Sequence, residues 1–381
     1  MTTTRMPHAA LATRRTTARA TLATTLAVVA LAACSSGSTK TTSTTSTGTT
    51  SSSSSGETTE PTRADTLTVL THDSFALSDE VKEQFESDTG IKVVYVAQGD
   101  AGSLVNQLIL TKDAPLGDVV FGIDNTFASR AAKAGVLEPY SDPALPDGAE
   151  AFNAEDGHLL TPIDYGDVCV NADKGWFEKK GLKIPASLDD LADPAYKDLL
   201  VVENPASSSP GLAFLAATVG AKGQDGYLAY WEKLKANGVK VAKGWTEAYT
   251  GDFSGSSGKG PRPLVVSYAT SPAFEVDKGA TASRTVALLD TCFRQVEYAG
   301  VLKGSLNEVG AQKFIDYLLT KGVQSEIPEQ MYMYPVDKAI NLPTDWVKFA
   351  PLSDKPINVD ATTIGDNREA WIKAWTATVL G

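Results

Sequence analysis

Apolar and polar positions change period repeatedly along this chain. The run TLTVLT at 66–71 is short, apolar and rich in β-branched residues, which predicts a buried strand. In the adjoining SDEVKEQFESDTG, Val81 and Phe85 fall four apart on one helical face, Ser78 is placed to cap the N-terminus and Gly90 to stop the helix. IKVVYVA then reads as a strand, GSLVNQLILTK as a helix, DVVFGI as a third strand and TFASRAAKAG as a third helix closing at Gly135. Strands alternating with helices through short connections predict a parallel sheet with helices on both faces. Ligands of such sheets sit beyond the carboxyl ends of the strands. The segments leaving those ends, 71–75, 98–103 and 122–126, are polar and turn-rich and are therefore the first candidates for a site.

A second alternating region runs from about Cys169 to Asp290, through KDLLVVENP, GYLAYWEKLKANG, VKVAKGW and PLVVSYATSPAFE. Within it, SSSPGLAFL at 207–215 crowds hydroxyls, Pro210 and Gly211 ahead of an apolar helix. Two readings stand: a capped helix, or an anion site at the positive end of the backbone dipole. The chain returns through CFRQVEYAGVL, a strand pattern, and ends in helices at VGAQKFIDYLLTKG and NREAWIKAWTATVLG. Trp371 and Trp375, four apart on the last helix, read as packing residues. The expected organisation is a first lobe at 65–168, a second at 169–290, and a return segment at 291–381 that completes the first lobe and the hinge. Two crossings between lobes imply a cleft where they cross.

Composition changes this picture at the N-terminus. Arg5, Arg14, Arg15 and Arg19 precede the apolar stretch TLATTLAVVALAAC, which is shorter than the roughly 20 residues of a membrane span. Residues 1–33 are thus expected to be an export signal. LAAC at 31–34 resembles the lipobox of bacterial lipoproteins, in which the cysteine, here Cys34, is lipidated. The Ser/Thr-rich stretch beyond it, to residue 64, has too few apolar groups to offset the entropy of folding and reads as a solvated tether. The rest is ordinary globular material, 42% hydrophobic and 21% charged over 381 residues, enough for two domains. The formal charge of -12 becomes -16 when the four arginines are removed, and no Lys/Arg run exists, so nucleic acid is not an expected partner.

With Cys34 assigned to a lipid, Cys169 and Cys292 remain, and in an oxidising compartment they are expected to pair as a disulfide. Two histidines, His72 and His158, lie far apart in sequence beyond the signal, so no metal site is expected. The sequence contains no GxSxG, HExxH, GxxxxGK[ST] or GxGxxG pattern. GSSGKGP at 255–261 approaches the phosphate loop but lacks its spacing and reads as a surface loop. Asp73, Asp100, Asp124 and Asp164 are candidate general bases that spacing alone does not pair. Neither an enzyme nor a cofactor is expected.

LTHDSF, GDAGSL, GIDN, PIDYGD, PASSSPGL, KGWTEAY, SYATSPAF and MYPV occur in that order between about residues 66 and 375. Together they resemble the thiamine-binding lipoproteins, or periplasmic receptors, of ABC importers. The resemblance implies an α/β fold of the type II periplasmic binding protein class, two lobes of mixed sheets flanked by helices with the ligand cleft at the hinge. It also implies a monomer outside the cell membrane, held there by its lipid, that delivers thiamine or its phosphate esters to a permease driven by a separate ATPase. Ser208, Trp245 and the stretch of Tyr268, Ala269, Thr270 and Ser271 match ligand-contact positions of the family.

Thiamine has a flat aminopyrimidine and a cationic thiazolium, and suits aromatic faces and an acid. Trp245, Tyr268, Phe274 and Tyr332 are the candidate faces, each contact worth ~0.5–2 kcal/mol. Asp100, followed by Ala101 where the family has an acid-glycine pair, is the candidate acid. Ser208 and Ser209 are candidates for the phosphate or hydroxyethyl end. His72 stands where some relatives have tyrosine, Phe274 where they have tyrosine and Tyr332 where they have tryptophan. The alternatives are a receptor of the same fold for ferric iron, a polyamine or a phosphonate, and a thiamine-processing enzyme with a reactive cysteine in the cleft.

Overall fold

The computed structural model describes residues 65–141, 145–154 and 158–381; the expected signal, Cys34 and the tether lie outside them. Among the described residues ten strands form: β1 (Thr66–Thr71), β2 (Lys92–Ala97), β3 (Val119–Asp124), β4 (Leu137–Glu138), β5 (Thr161–Asp173), β6 (Leu200–Glu203), β7 (Lys240–Ala242), β8 (Leu264–Tyr268), β9 (Thr285–Leu302) and β10 (Tyr334–Pro335). They join in one sheet of order β2-β1-β3-β9-β5-β8-β6-β7, with β4 added to β9 and β10 to β5.

The parallel pairing expected from the alternation holds at the two ends, where β1 is parallel to β2 and β3, and β6 to β7 and β8. The centre differs. There β3–β9, β9–β5 and β5–β8 are all antiparallel. The reason lies in the two long strands. β5 has 13 residues and β9 has 18, and each runs through the middle of the sheet rather than turning into a crossover helix within one end of it. Eight consecutive residues of β9, Gln295 to Leu302, are buried, so this run carries no period-two signal from which direction could be read.

Helices cover the sheet: α1 (Asp79–Thr89), α2 (Ala101–Leu110), α3 (Ala128–Ala134), α4 (Lys174–Lys180), α5 (Leu188–Leu191), α6 (Ser209–Lys222), α7 (Tyr227–Ala236), α8 (Ser271–Phe274), α9 (Glu308–Leu318), α10 (Lys321–Gln330), α11 (Thr344–Phe349) and α12 (Ala361–Val379). Ser78 caps α1 and Gly90 ends it in the left-handed conformation, as the sequence predicts. In α6 every residue from Ser209 to Val219 is buried, which is how a helix apolar on all faces must sit. Trp375 meets Trp231 of α7 edge to face at 5.4 Å, and Trp371 is buried in the same core. Both are packing residues. No described helix is long and apolar enough to cross a membrane.

Cys169 of β5 and Cys292 of β9 are joined by a disulfide, fully buried against Ala269 and Ala287. It lies where the β5–β9 register shifts, between Val168 and Val170. The crosslink thus pins the two central strands at the point where their ladder of hydrogen bonds is interrupted. Replacing both cysteines by serine is expected to lower unfolding stability by about 2–4 kcal/mol. Urea denaturation of the variant and parent checks this, together with titration of the native parent, in which neither cysteine should react as a thiol.

Candidate ligand-binding site

Four segments meet at the ends of β1, β2, β6 and β7. After β1 the chain turns at His72 and Asp73, whose N–H donates to the Gly99 carbonyl at 2.9 Å. Asp100 follows Gly99 as the N-cap of α2 and accepts from the Ala101 N–H at 2.7 Å. Its carboxylate also accepts from two distant amides, Ser209 N–H at 3.0 Å and Trp245 N–H at 3.0 Å. One side chain therefore joins the starts of α2 and α6 to the segment after β7. Close approach makes this possible: a Cβ on Gly102 would sit 2.7 Å from the Ser207 backbone.

Around this junction lies a cavity of about 390 Å³. His72, Asp100 and Ala101 line one side of it. Trp245, Tyr268, Phe274 and Tyr332 contribute rings, and Ser209, Thr270 and Ser271 contribute small polar groups. The expected residues are brought together, with two exceptions. Ser208 is wholly buried behind the wall, where its hydroxyl accepts from Gly211 N–H at 3.4 Å as the α6 N-cap. Ala269 is also buried, and its N–H donates to the Asp167 carbonyl. Ser209 does reach the cavity, but its hydroxyl donates to Asp124 and its N–H to Asp100.

The rings are held by one another and by hydrogen bonds. Trp245 stacks on Tyr249, 4.9 Å apart and 14° from parallel, and its indole N–H donates to Ser267 Oγ at 2.8 Å. Tyr268 meets the Trp245 ring edge-on at 6.4 Å, and its hydroxyl donates to Gln295 at 3.3 Å. Phe274 and Tyr332 pack edge to face at 4.9 Å. Tyr332 has φ of 56°, an uncommon left-handed conformation for a residue with a side chain.

Several lining residues were not singled out from sequence as ligand contacts: Asp73, Tyr249, Met331, Met333 and Glu297. Asp73 and Tyr249 lie inside LTHDSF and KGWTEAY, so the motifs contained them. Glu297 had only a faint signal, as an acid within the apolar strand CFRQVEYAGVL.

Charge in the cavity is one-sided. Asp73, Asp100 and Glu297 line it, and no Lys or Arg does among the described residues. His72 Nε2 lies 3.6 Å from Glu297 Oε1. Burial pushes the imidazole pKa down, but the carboxylates of Glu297, then Asp100 and Asp73, outweigh it and hold the pKa above the ordinary 6.5. Burial pushes Asp124 up to about 6, against hydrogen bonds from Ser209 and Thr126. No group of three or more His, Cys, Asp or Glu among the described residues is placed to hold a metal ion.

Residues 114–354 match a family model described as bacterial extracellular solute-binding protein. The chain is 30% identical over 325 residues to the thiamine-binding periplasmic protein of Brucella suis, a match covering 82% of this chain and 92% of that one. It is 31% identical over 321 residues to the protein of the same name from Escherichia coli, covering 82% and 93%. A solved periplasmic thiamin binding protein superposes with a TM-score of 0.73 at 29% identity, over 82% of this chain and 96% of that one. The ferric binding protein of Campylobacter jejuni, at 17% identity and a TM-score of 0.65 over 82% and 99%, shares the fold. Sequence and architecture agree, and the chain belongs to the bacterial extracellular solute-binding proteins, in the two-lobed type II class of periplasmic binding proteins.

Proposed function

We propose that this protein captures thiamine or its phosphate esters outside the cell membrane and passes them to the permease of an ABC importer. In this reading residues 65–168 and 169–290 are the two lobes, 291–381 completes the first lobe and the hinge, and Cys34 carries the lipid anchor of a monomeric receptor. Binding involves no chemical step. The observation that carries the reading is the cavity itself, walled by Trp245, Tyr268, Phe274 and Tyr332, bounded by carboxylates and lined by no basic side chain other than His72 among the described residues. Flat rings and negative charge together favour a heteroaromatic cation. The relatives named for thiamine support the same ligand.

A thiamine-processing enzyme would need a thiolate in the cleft. Cys169 and Cys292 are both buried in the disulfide and neither lines the cavity, which favours capture over turnover. Phosphate esters face an additional step: the amides at Ala101, Ser209 and Trp245 already bind the Asp100 carboxylate, so a phosphate reaches them only by displacing it.

Calorimetric titration with thiamine, spermidine and iron citrate is expected to give saturable binding for thiamine alone. Trp245→Ala should weaken it about 3- to 30-fold by removing one stacking and cation-π face; unchanged affinity in the variant overturns the site assignment. The affinity should also depend on pH. A cation bound beside His72 disfavours the imidazolium, so binding expels its proton. Affinity therefore rises with pH through the elevated His72 pKa and levels off above it. Titrations between pH 5.5 and 8.5 on the parent and on His72→Gln, which should lose the histidine part of that slope, check the sign.

A further inference from the structure

Strands β3, β9 and β5 place three acids side by side: Asp124 is in register with Glu297, and Glu297 with Asp164. Their surroundings differ. Asp124 accepts from the Thr126 N–H at 2.6 Å, from the Thr126 hydroxyl at 2.5 Å and from Ser209, so both of its oxygens are hydrogen-bonded. Asp164 is wholly buried, and no N–H or hydroxyl donor reaches either of its carboxyl oxygens. Glu297, between them, is 5% exposed and is the one of the three that lines the cavity.

Neighbouring carboxyls in a desolvated sheet do not all ionise; one of a pair keeps its proton. Asp164 is the member with nothing to stabilise its charge. Burial first, and then the charge of Glu297, push its pKa well above the ordinary carboxylate range. As the neutral acid it has a donor to offer, and the acceptor beside it is Glu297. Of the two carboxyls, Glu297 is the one at the cavity wall, with Asp164 behind it in the sheet. The contacts from Gln295 Nε2, at 3.2 Å, and His72 Nε2, at 3.6 Å, fall on Oε1 of that carboxylate. His72 Nε2 is itself buried without a hydrogen-bond partner. The groups facing Glu297 are thus Asp124 and Asp164 along the sheet, Gln295 on its own strand, Tyr268 from β8 and His72 from the turn after β1. Beyond His72, Asp73 and Asp100 add negative charge from the same side of the cavity.

We infer that Glu297 is the specificity-determining charge of this cavity, selecting a cationic nitrogen heterocycle over a neutral one of the same shape, and that Asp164 is a positioning residue behind it. This deepens the thiamine reading and rests on it. The carboxylate is 5% exposed at the cavity wall, where an opposite charge on the ligand is worth more than in water. A neutral ring brings no counter-charge to Glu297, and His72, 3.6 Å away, supplies one only while its imidazole is protonated.

The test uses thiamine and its uncharged isostere in which a carbon atom replaces the thiazolium nitrogen, titrated calorimetrically into the full chain. The parent is expected to prefer thiamine by about tenfold or more. Glu297→Gln should weaken thiamine binding by about tenfold or more while changing the isostere by less than about threefold. Asp164→Asn, judged folded by its thermal melt, should shift the pH profile of thiamine affinity between pH 5 and 8, which a change of packing alone would not do. Equal binding of the two ligands by the parent overturns the inference without any variant. So does parallel loss of both ligands in Glu297→Gln, or a variant that keeps the full preference. A parent that binds no thiamine overturns the ligand reading, and this inference falls with it; a parent that binds thiamine and the isostere alike leaves that reading standing and removes this one alone.

Discussion

A single carboxylate supplied by the chain itself holds the site together. Asp100 accepts from the amide of its neighbour Ala101 and from those of Ser209 and Trp245, 109 and 145 residues further along the chain. Each charge-assisted bond contributes on the order of 1.5–3 kcal/mol when water is excluded. The consequence is geometric. The first turn of α6 is fixed against α2, so the Ser209 hydroxyl reaches Asp124. The Trp245 backbone is fixed as well, so its indole lies flat on Tyr249 and within reach of Ser267. The opening turn of α6, which from sequence reads as either a capped helix or an anion site, is both: Ser208 caps it, and the anion is Asp100.

The central strands supply the other half of the constraint. Each long strand serves the core and the cavity at once. β9 carries Cys292 and Glu297, five residues apart, and β5 carries Asp164 and Cys169. Their antiparallel pairing is what brings an acid from each into register and lets one disulfide fix both. Asp167, in the same stretch of β5, is wholly buried and accepts from Arg294 of β9 and from the Ser353 N–H at 2.7 Å. The strands that shape the cavity floor are therefore tied by covalent, ionic and hydrogen-bonded contacts.

Much of this was legible in the sequence, and the failures share a cause. Local signals worked: the Ser78 cap, the Gly90 stop, the strand and helix alternation, and the pairing of the only two cysteines left after Cys34. Resemblance to the family placed Trp245, Tyr268, Phe274 and Tyr332 in one cavity although nothing in their spacing demanded it. What escaped depends on register between distant strands. Glu297 becomes conspicuous only beside Asp164 and Asp124, and a buried strand with no alternation does not announce its neighbours. Ser208 and Ser209 differ by one position, within the usual uncertainty of a helix start, yet that step decides which one is sealed behind the wall and which reaches the cavity.

The cavity is not equally organised throughout, and that asymmetry bears on how a ligand is held. Its floor, with Asp100, Ser209, Trp245 and Tyr268, is fixed by hydrogen bonds within the chain. At its mouth Phe274 is 46% exposed and packs edge to face against Tyr332. Ordering side chains on binding costs about 0.5–1.5 kcal/mol for each one immobilised. In this molecule that cost falls on exposed Phe274 at the mouth, while recognition of charge falls on buried Glu297. Selectivity should therefore reside in the buried carboxylates, and the rings at the mouth should govern how long a bound molecule stays.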